Sequence, residues 1–262
     1  MALTAPAFLM KHNYIRKRTR DLWGFWYLIT HGRQFVGTRM GYRLLFDLNG
    51  IVDRYLLAFG FYEEERRVAL FAAAEDAIKG AGAPGDRCVF LDIGAHWGIY
   101  ALWAQSSGLF DRVVAVEADP RNAAQLHANL YLNDLAGVID VYTAAAGAER
   151  GEISFSLADK FSRVGSRVTS TDEASPDEKI TVPAIPMDEI ETLRGGVLVA
   201  KIDVEGFESA VIKGMQGLLA GNRCVLQIEV FDGEAEAFDA SMRALGYHKF
   251  AELGYDRYYR ND

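Results

Sequence analysis

The sequence predicts an α/β protein with a mostly parallel sheet that helices cover on both faces. Two observations lead to this prediction. From Cys88 onward, short apolar runs alternate with segments of helical periodicity, a pattern typical of buried parallel strands joined by helices. The chain of 262 residues is half hydrophobic and has only 6 prolines, which is enough for one large domain with a sizeable core.

The elements follow from periodicity and from helix signals. Apolar runs predict five core strands, at residues 88–93, 112–117, 138–144, 197–203 and 223–230. Helices are predicted at 63–80, 97–107, 119–133, about 207–218 and 234–245. Extra strands at 152–157 and 179–185 are expected on either side of a polar surface loop at 166–177, and a closing hairpin at 247–250 and 255–260. Asp119 and Pro120 supply an N-cap and a first-turn proline for the third helix.

The N-terminal part of the chain differs in charge from the rest. Residues 1–43 contain eight Lys or Arg and one acid, a net charge of +7, whereas the remainder has 20 basic and 35 acidic residues, a net charge of −15. Because a nucleic-acid binder spreads positive charge over its body, an acidic body disfavours nucleic acid as a partner. Residues 1–62 are expected to form a basic, aromatic, helical extension, and residues 63–262 the main domain.

The extension allows three interpretations. Its aromatic and basic side chains, such as Trp23, Trp26 and Arg18, favour packing on the domain as a lid, or a dimer interface. Peripheral contact of residues 1–43 with an anionic membrane is the second choice. The oligomeric state is left open.

Compartment and metal content follow from simple counts. The two cysteines, Cys88 and Cys224, lie in apolar runs, which indicates buried, reduced thiols. No apolar run reaches the length of a spanning helix, and residues 1–10 lack the order of a secretory signal. We therefore expect a cytoplasmic protein, with a peripheral position at the inner membrane face as the alternative. No Cys/His cluster has the spacing of a structural zinc site.

A glycine turn and two acids predict a nucleotide-type pocket. Asp92, Gly94 and Gly98 join the first core strand to its helix, and the two glycines allow a tight turn and close approach to a ligand. Glu117 ends the second strand, where a carboxylate can accept hydrogen bonds from both ribose hydroxyls of an adenosine.

The sign of the charge beside this turn favours one cofactor. A dinucleotide site usually has glycine where this chain has Asp92. An acid there repels a pyrophosphate but suits a cation with a free amino group, such as S-adenosylmethionine.

Several segments resemble one known family. LDIGAHWGIYAL, VVAVEADPRNAAQLHANLYLN, VPAIPMDEI, VLVAKIDVEGFESAVIKG and LQIEV occur in this order and are similar to the FkbM family of S-adenosylmethionine-dependent methyltransferases. The segment from Gly60 to Glu63 resembles a short element of the same family, so the similarity covers about residues 60–230. It implies a class I methyltransferase (Rossmann-like) fold, a seven-stranded, mostly parallel sheet with one antiparallel edge strand. It also implies methyl transfer to an oxygen, often a sugar or natural-product hydroxyl.

The expected cofactor-binding residues combine the turn and the resemblance: Glu63, Asp92, Gly94, Ala95, His96, Gly98, Glu117, Ala118 and Asp203. His96 departs from the family pattern, which has Asn there. It either donates a hydrogen bond near the methionine end of the cofactor or only caps the helix. Residues 143–146 offer no acid to hold the adenine amine, so backbone groups are expected to do so.

The candidate catalytic residues are Asp203, which ends the fourth core strand, and Glu205, which lies on the turn after it. Asp203 is expected to face the cleft, although a simple pair with Lys201 is the alternative. Glu208 is a weak candidate because acids favour helix N-termini in any case. Together with Glu229, Asp203 and Glu205 could supply oxygen ligands to a divalent ion. We favour a mechanism without metal.

The predicted function is therefore S-adenosylmethionine-dependent O-methylation of a hydroxyl on a sugar, glycan or small natural product. Arg163 and Arg167, near the polar loop, could bind an acidic acceptor, and a merely solvated loop is the alternative. The alternatives are a nucleotide-dependent oxidoreductase on a similar sheet and a non-catalytic binding protein that keeps the fold. Asp92 and the KIDVEG segment argue against the first, and the intact glycines, Glu117 and Asp203 against the second.

Overall fold

The computed structural model describes residues 13–81, 87–157, 167–168 and 179–261. In chain order its elements are α1 (Asn13–His31), β1 (Gln34–Arg39), β2 (Tyr42–Asp47), α2 (Ile51–Phe59), α3 (Glu64–Ala81), β3 (Cys88–Ile93), α4 (Ile99–Ser107), β4 (Arg112–Val116), α5 (Pro120–Leu132), β5 (Asp140–Tyr142), β6 (Ala145–Ala146), β7 (Gly151–Ser156), β8 (Arg167–Val168), β9 (Lys179–Ile185), α6 (Met187–Ile190), β10 (Val197–Ile202), α7 (Glu208–Lys213), α8 (Gln216–Gly221), β11 (Arg223–Glu229), α9 (Ala235–Ala244), β12 (His248–Leu253) and β13 (Asp256–Arg260).

A seven-stranded sheet forms the centre of the fold, in the order β12-β13-β11-β10-β3-β4-β5. The strands from β11 to β5 pair in parallel, and β13 runs antiparallel to both of its neighbours. The predicted mostly parallel sheet is confirmed. One detail was wrong: the antiparallel strand lies one position in from the edge, because the closing hairpin places β12 outside β13.

Helices cover the two faces of this sheet, as predicted. Alternate residues of β3 contribute to two separate cores: Phe90 packs with α3 and α4, and Leu91 packs with α6, α8 and α9. Because side chains alternate along a strand, Asp92 lies on the same face as Phe90. The parallel register aligns Asp92 with Lys201, and Lys201 with Gln227. A row of polar side chains therefore crosses the otherwise apolar sheet near its carboxyl edge.

A second sheet of four strands, ordered β6-β9-β7-β8, stands beside the first. It buries a small apolar cluster around Ala145, Phe155 and Val182. The predicted single strand at 138–144 is divided here, because the chain leaves the central sheet after Tyr142 and pairs with β9 from Ala145. Most of the predicted polar loop at 166–177 lies outside the described residues, as does Arg163. Arg167 begins β8.

The N-terminal extension is only partly helical. Between α1 and α2, the strands β1 and β2 form an antiparallel hairpin, which the sequence did not predict. The extension also packs on the main domain: the side-chain amide of Gln125 donates to the Leu45 carbonyl at 2.8 Å, and Leu44 and Phe46 join the core on one side of the sheet. The extension therefore shares a core with the residues that follow it.

The helices begin and end largely where local signals place them. The Asp119 side chain accepts from the Arg121 amide at 2.9 Å, which confirms the predicted N-cap of α5. The predicted helix at 207–218 is instead two short helices, α7 and α8. Gly214 lies between them, packed so closely against the Gly147 carbonyl that a side chain would not fit. Among the described helices, none is both long and apolar enough to cross a membrane.

Candidate active site

A pocket opens at the carboxyl ends of β3, β4 and β10, on the face that carries the polar row. Nearly all of the predicted site residues line it: Glu63, Asp92, Gly94, Ala95, His96, Glu117, Ala118, Asp203 and Glu205. Gly98 does not; it lies behind the turn and precedes α4 with φ 87°. The structure thus brings the predicted residues together, while their roles remain predictions.

The glycine turn holds three strand ends in place. Gly94, at φ 79°, and Ala95 both donate backbone hydrogen bonds to the Val116 carbonyl of β4, at 2.9 and 3.0 Å. A Cβ on Gly94 would overlap the Asp203 carbonyl oxygen and lie 2.8 Å from its carbon. Only glycine, without a Cβ, lets the turn approach the end of β10 this closely.

Asp92 serves the turn as well as lining the pocket. Its carboxylate is buried and accepts a hydrogen bond from the Ala101 amide in the first turn of α4, at 2.9 Å. Burial raises its pKa to about 6, although Lys201 and the Ala101 amide act in the opposite direction. Asp92 therefore accepts from a backbone amide at the start of α4, which is the capping role that was considered for His96. The backbone amide of His96 instead donates to Glu117 at 2.7 Å.

Glu117 is positioned by backbone donors on both oxygens. One oxygen accepts from the His96 amide and the other from the Asp119 amide, at 2.7 and 2.8 Å. Each oxygen keeps a further lone pair for a ligand. Burial raises the pKa of Glu117 to about 7, more than the two backbone hydrogen bonds lower it. A ligand that donates hydrogen bonds would stabilise the charged form of this carboxylate.

Backbone strain is concentrated at the pocket. Glu63, His96 and Glu205 have φ values of 48°, 51° and 53°, in the left-handed region that non-glycine residues rarely adopt. All three line the pocket. Strained residues of this kind persist where the surrounding structure holds them, and they are frequent at functional sites.

Asp203 forms an ion pair with Lys201. Both residues line the pocket, so the ion pair and a role of Asp203 in the site are compatible. The Lys201 ammonium lies 2.8 Å from the Asp203 carboxylate and 4.8 Å from the centre of the Tyr100 ring. Burial opposes charge on both groups. The attraction between them outweighs it, lowering the pKa of Asp203 and raising that of Lys201 well above its usual value. Asp203 is thus ionised at neutral pH.

Glu229 converges on Asp203, which sequence spacing could not show. Ile202 of β10 pairs with Ile228 of β11, so the next residues in the two strands are neighbours. Burial first, and the Asp203 charge second, raise the pKa of Glu229 to about 9. At neutral pH Glu229 therefore carries a proton that it donates to the Asp203 carboxylate.

The three acids that were considered for a metal do meet. Oxygen atoms of Asp203, Glu205 and Glu229 all lie within 4.8 Å of one another. A divalent ion at this position would have to compete with the Lys201 ammonium and with the proton on Glu229. Glu208, by contrast, does not line the pocket, and its carboxylate accepts from the Gly206 amide at 2.9 Å.

Glu63 reaches the pocket from the loop before α3. The Arg66 guanidinium binds Glu63 at 2.8 Å and Asp256 at 2.6 Å. This connects the pocket wall to β13. The neighbouring Tyr62 also lines the pocket, and burial raises its pKa well above the usual value.

Asn122 is the main residue that sequence reasoning missed. It lies in the first turn of α5, lines the pocket and is 3 % exposed. Its Oδ1 is buried and has no hydrogen-bond partner among the described residues. The Nε1 of Trp97, another lining residue, is also buried without a hydrogen-bond partner among the described residues. Buried polar atoms nearly always have a hydrogen-bond partner. We therefore expect a ligand or a water molecule to form hydrogen bonds with these two atoms.

Comparison with known proteins agrees with the resemblance. A family model, the Methyltransferase FkbM domain, matches residues 92–256. No curated protein is similar enough to count as a match.

The solved structures that are similar to this chain include three methyltransferases with low sequence identity to it. The FkbM methyltransferase of Methylobacillus flagellatus KT is 15% identical, with coverage of 95% of this chain and 59% of that chain and a TM-score of 0.44. The N-terminal domain of human METTL16 in complex with SAH is 13% identical, covering 95% and 82%, with a TM-score of 0.45. The ribosomal protein L11 methylase of Lactobacillus delbrueckii subsp. bulgaricus is 14% identical, covering 73% and 77%, with a TM-score of 0.40. With TM-scores this low, these similarities support no conclusion about function.

The family model spans more than half of the chain and includes the glycine turn, Glu117, Asp203 and Glu229. The chain belongs to the FkbM methyltransferase family.

Proposed function

We propose that this protein transfers a methyl group from S-adenosylmethionine to a hydroxyl of a small molecule or glycan. The observation that carries the choice of cofactor is the charge of the pocket. Five acids line it: Glu63, Asp92, Glu117, Asp203 and Glu205. Among the described lining residues, Lys201 is the one Lys or Arg, and its ammonium is bound to Asp203. Such a lining disfavours a pyrophosphate and favours a cation.

The residues present fit this cofactor. Glu117 would accept from the ribose hydroxyls through the lone pairs that its backbone donors leave open, and Asn122 Oδ1 would accept from the adenine amine. In this arrangement the Asn122 amide would take the place of the backbone groups that we expected to hold this amine. Ala145 and Phe155 offer apolar surface for the ring. Asp203 and Glu63 provide negative charge for the amino group.

S-adenosylmethionine, when bound, supplies an electrophilic methyl group on a sulfonium whose sulfur leaves as a neutral thioether. Asp203 would accept a hydrogen bond from the acceptor hydroxyl and take its proton as the new bond forms. Its lowered pKa makes it a weak base. Its contribution is therefore chiefly orientation, with the proton leaving late. Glu205, at the pocket wall, would position the acceptor.

The experiment is a panel of sugars, natural-product alcohols and lipid-linked glycans incubated with the protein and cofactor. We expect a mass gain of one methyl group on an oxygen of at least one acceptor. Asp203→Asn should lower turnover by roughly 10²-fold or more, while cofactor affinity, measured by calorimetry, falls far less because Glu63 still faces the amino group. Glu208→Gln is a matched control, because this acid lies outside the pocket, and we expect near-normal turnover.

Three outcomes would contradict the proposal. Methylation of nitrogen rather than oxygen would refute the acceptor class. Normal turnover of Asp203→Asn would refute its role toward the hydroxyl. A chain that binds the cofactor but methylates no acceptor in a broad panel would favour the non-catalytic alternative.

A further inference from the structure

Helix α1 has two apolar faces, and only one of them packs on the protein. On the inner face, Thr19 and Tyr27 are buried, and Gly24 lies so close to the Arg54 side chain that a Cβ would meet it at 2.9 Å. The Tyr27 hydroxyl accepts a hydrogen bond from the buried guanidinium of Arg39 at 2.7 Å. This face fixes the helix against α2 and the β1–β2 hairpin.

The opposite face carries a stripe that we call the outer stripe: Leu22, Phe25, Trp26 and Ile29. Their positions follow the spacing i, i+3, i+4 and i+7, which places them on one side of a helix. They are 69%, 62%, 41% and 68% exposed. Such a contiguous apolar surface, with two aromatic rings, is unusual on a protein that contacts only water. Nothing in the described part of the chain covers it.

Basic side chains lie at both ends of the outer stripe. Arg18 lies one turn before Leu22 on the same side of the helix and is exposed, as are Lys17 and, just after the helix, Arg33. The first 43 residues have a net charge of +7 in a chain whose remainder is at −15. An apolar stripe bordered by basic side chains matches the surface of an anionic bilayer, where acyl chains lie beneath negative headgroups.

We propose that α1 lies in the interface of an anionic membrane, with the outer stripe among the acyl chains and Lys17, Arg18 and Arg33 among the headgroups. Trp26 suits this depth because tryptophan concentrates at membrane interfaces. The acidic main domain would be repelled by the same surface, so the charge asymmetry orients the protein with the extension toward the lipid. We therefore expect the protein to contact the membrane through α1 and not through the acidic domain.

The placement has a consequence for the pocket. α1 packs directly on α2, and Val52 of α2 lines the pocket. A membrane bound to α1 would therefore lie two helix layers from the site. This favours acceptors held at a membrane surface over freely diffusing ones. The inference concerns binding to lipid, and it stands or falls separately from the proposed methyl transfer.

The test is co-sedimentation of the full chain with vesicles of phosphatidylcholine alone and of phosphatidylcholine with phosphatidylglycerol. We expect binding to the anionic vesicles that high salt weakens, and little binding to the neutral ones. Phe25→Ser combined with Ile29→Ser should weaken binding by roughly tenfold or more. The matched control, Val68→Ser combined with Tyr131→Ser, removes equally exposed apolar side chains on α3 and α5 and should bind like the unaltered chain.

A second measurement uses the unaltered chain and one conservative variant. Brominated lipids in the anionic vesicles should quench the fluorescence of the unaltered chain, and Trp26→Phe should remove most of this quenching. Equal binding by the outer-stripe variant and the control, or quenching that Trp26→Phe leaves unchanged, would overturn the proposal. Absence of vesicle binding would overturn it as well. One such case is a dimer in light scattering that the outer-stripe variant converts to a monomer, because a second copy of the chain would then cover the stripe.

Discussion

Gly94→Ala tests whether the glycine turn holds the pocket together. The substitution places a Cβ at 2.8 Å from the Asp203 carbonyl carbon, where ordinary contact begins at 3.4 Å, so the two backbone segments must separate by about 0.6 Å or more. Strain from the separation adds roughly 1–3 kcal/mol. The left-handed φ of 79° adds roughly 1–2 kcal/mol. Weakening of the hydrogen bond from the Asp203 amide to the Ile93 carbonyl, at 2.9 Å, adds about 1 kcal/mol.

The expected loss is therefore roughly 3–6 kcal/mol in the free energy of unfolding. Gly108→Ala is the matched control, because Gly108 also has a left-handed φ, of 68°, but has nothing within 4 Å of its Cβ position. It should lose only about 1–2 kcal/mol. Urea denaturation followed by circular dichroism measures both variants, and calorimetry with S-adenosylmethionine should show weaker binding for Gly94→Ala alone. Equal losses in the two variants would refute the proposed close packing of the turn against β10.

Three further predictions concern the pocket. Since the pKa of Glu117 is about 7 and ligand donors favour its charged form, cofactor affinity should fall as pH drops below about 7, by up to about tenfold per unit. Glu117→Gln should bind the cofactor more weakly above pH 7 and lose this dependence in calorimetric titrations. Asn122→Leu should leave the melting temperature unchanged or raise it, because it removes an unpartnered buried oxygen, yet lower cofactor affinity roughly tenfold; unchanged affinity would remove Asn122 from the site. Because Lys201 and the proton on Glu229 already neutralise Asp203, EDTA should leave the initial rate of methyl transfer unchanged. If EDTA lowers this rate and Mg²⁺ restores it, the reaction needs a metal ion.

Much of the central fold could be predicted from the sequence, because its signals are local. The run from Cys88 to Ile93 is apolar except at Asp92 and forms β3 with the predicted bounds. Asp119 starts α5 by accepting a hydrogen bond from the Arg121 amide, and Pro120 occupies the first position of the helix. The hairpin of β1 and β2 was missed, since its turn at Met40 and Gly41 lies in a segment where aromatic and basic residues dominate the pattern.

The composition of the site could be predicted better than its internal arrangement. Glycines and carboxylates after strand ends indicated which loops form the pocket. Which acids touch depends on the register between strands, and spacing along the chain contains no information on register. The approach of Glu229 to Asp203 follows from the pairing of Ile202 with Ile228. Asn122 was missed because its significance lies in an unsatisfied oxygen, a property only of the folded chain.

The central claim is that the acidic pocket binds a sulfonium cofactor rather than a pyrophosphate one. Titration calorimetry of the purified chain with S-adenosylmethionine and with NAD, under identical conditions, tests it most directly. We expect one molecule of S-adenosylmethionine to bind per chain and no measurable heat from NAD. Preference for NAD, or no heat from either compound, would contradict the claim.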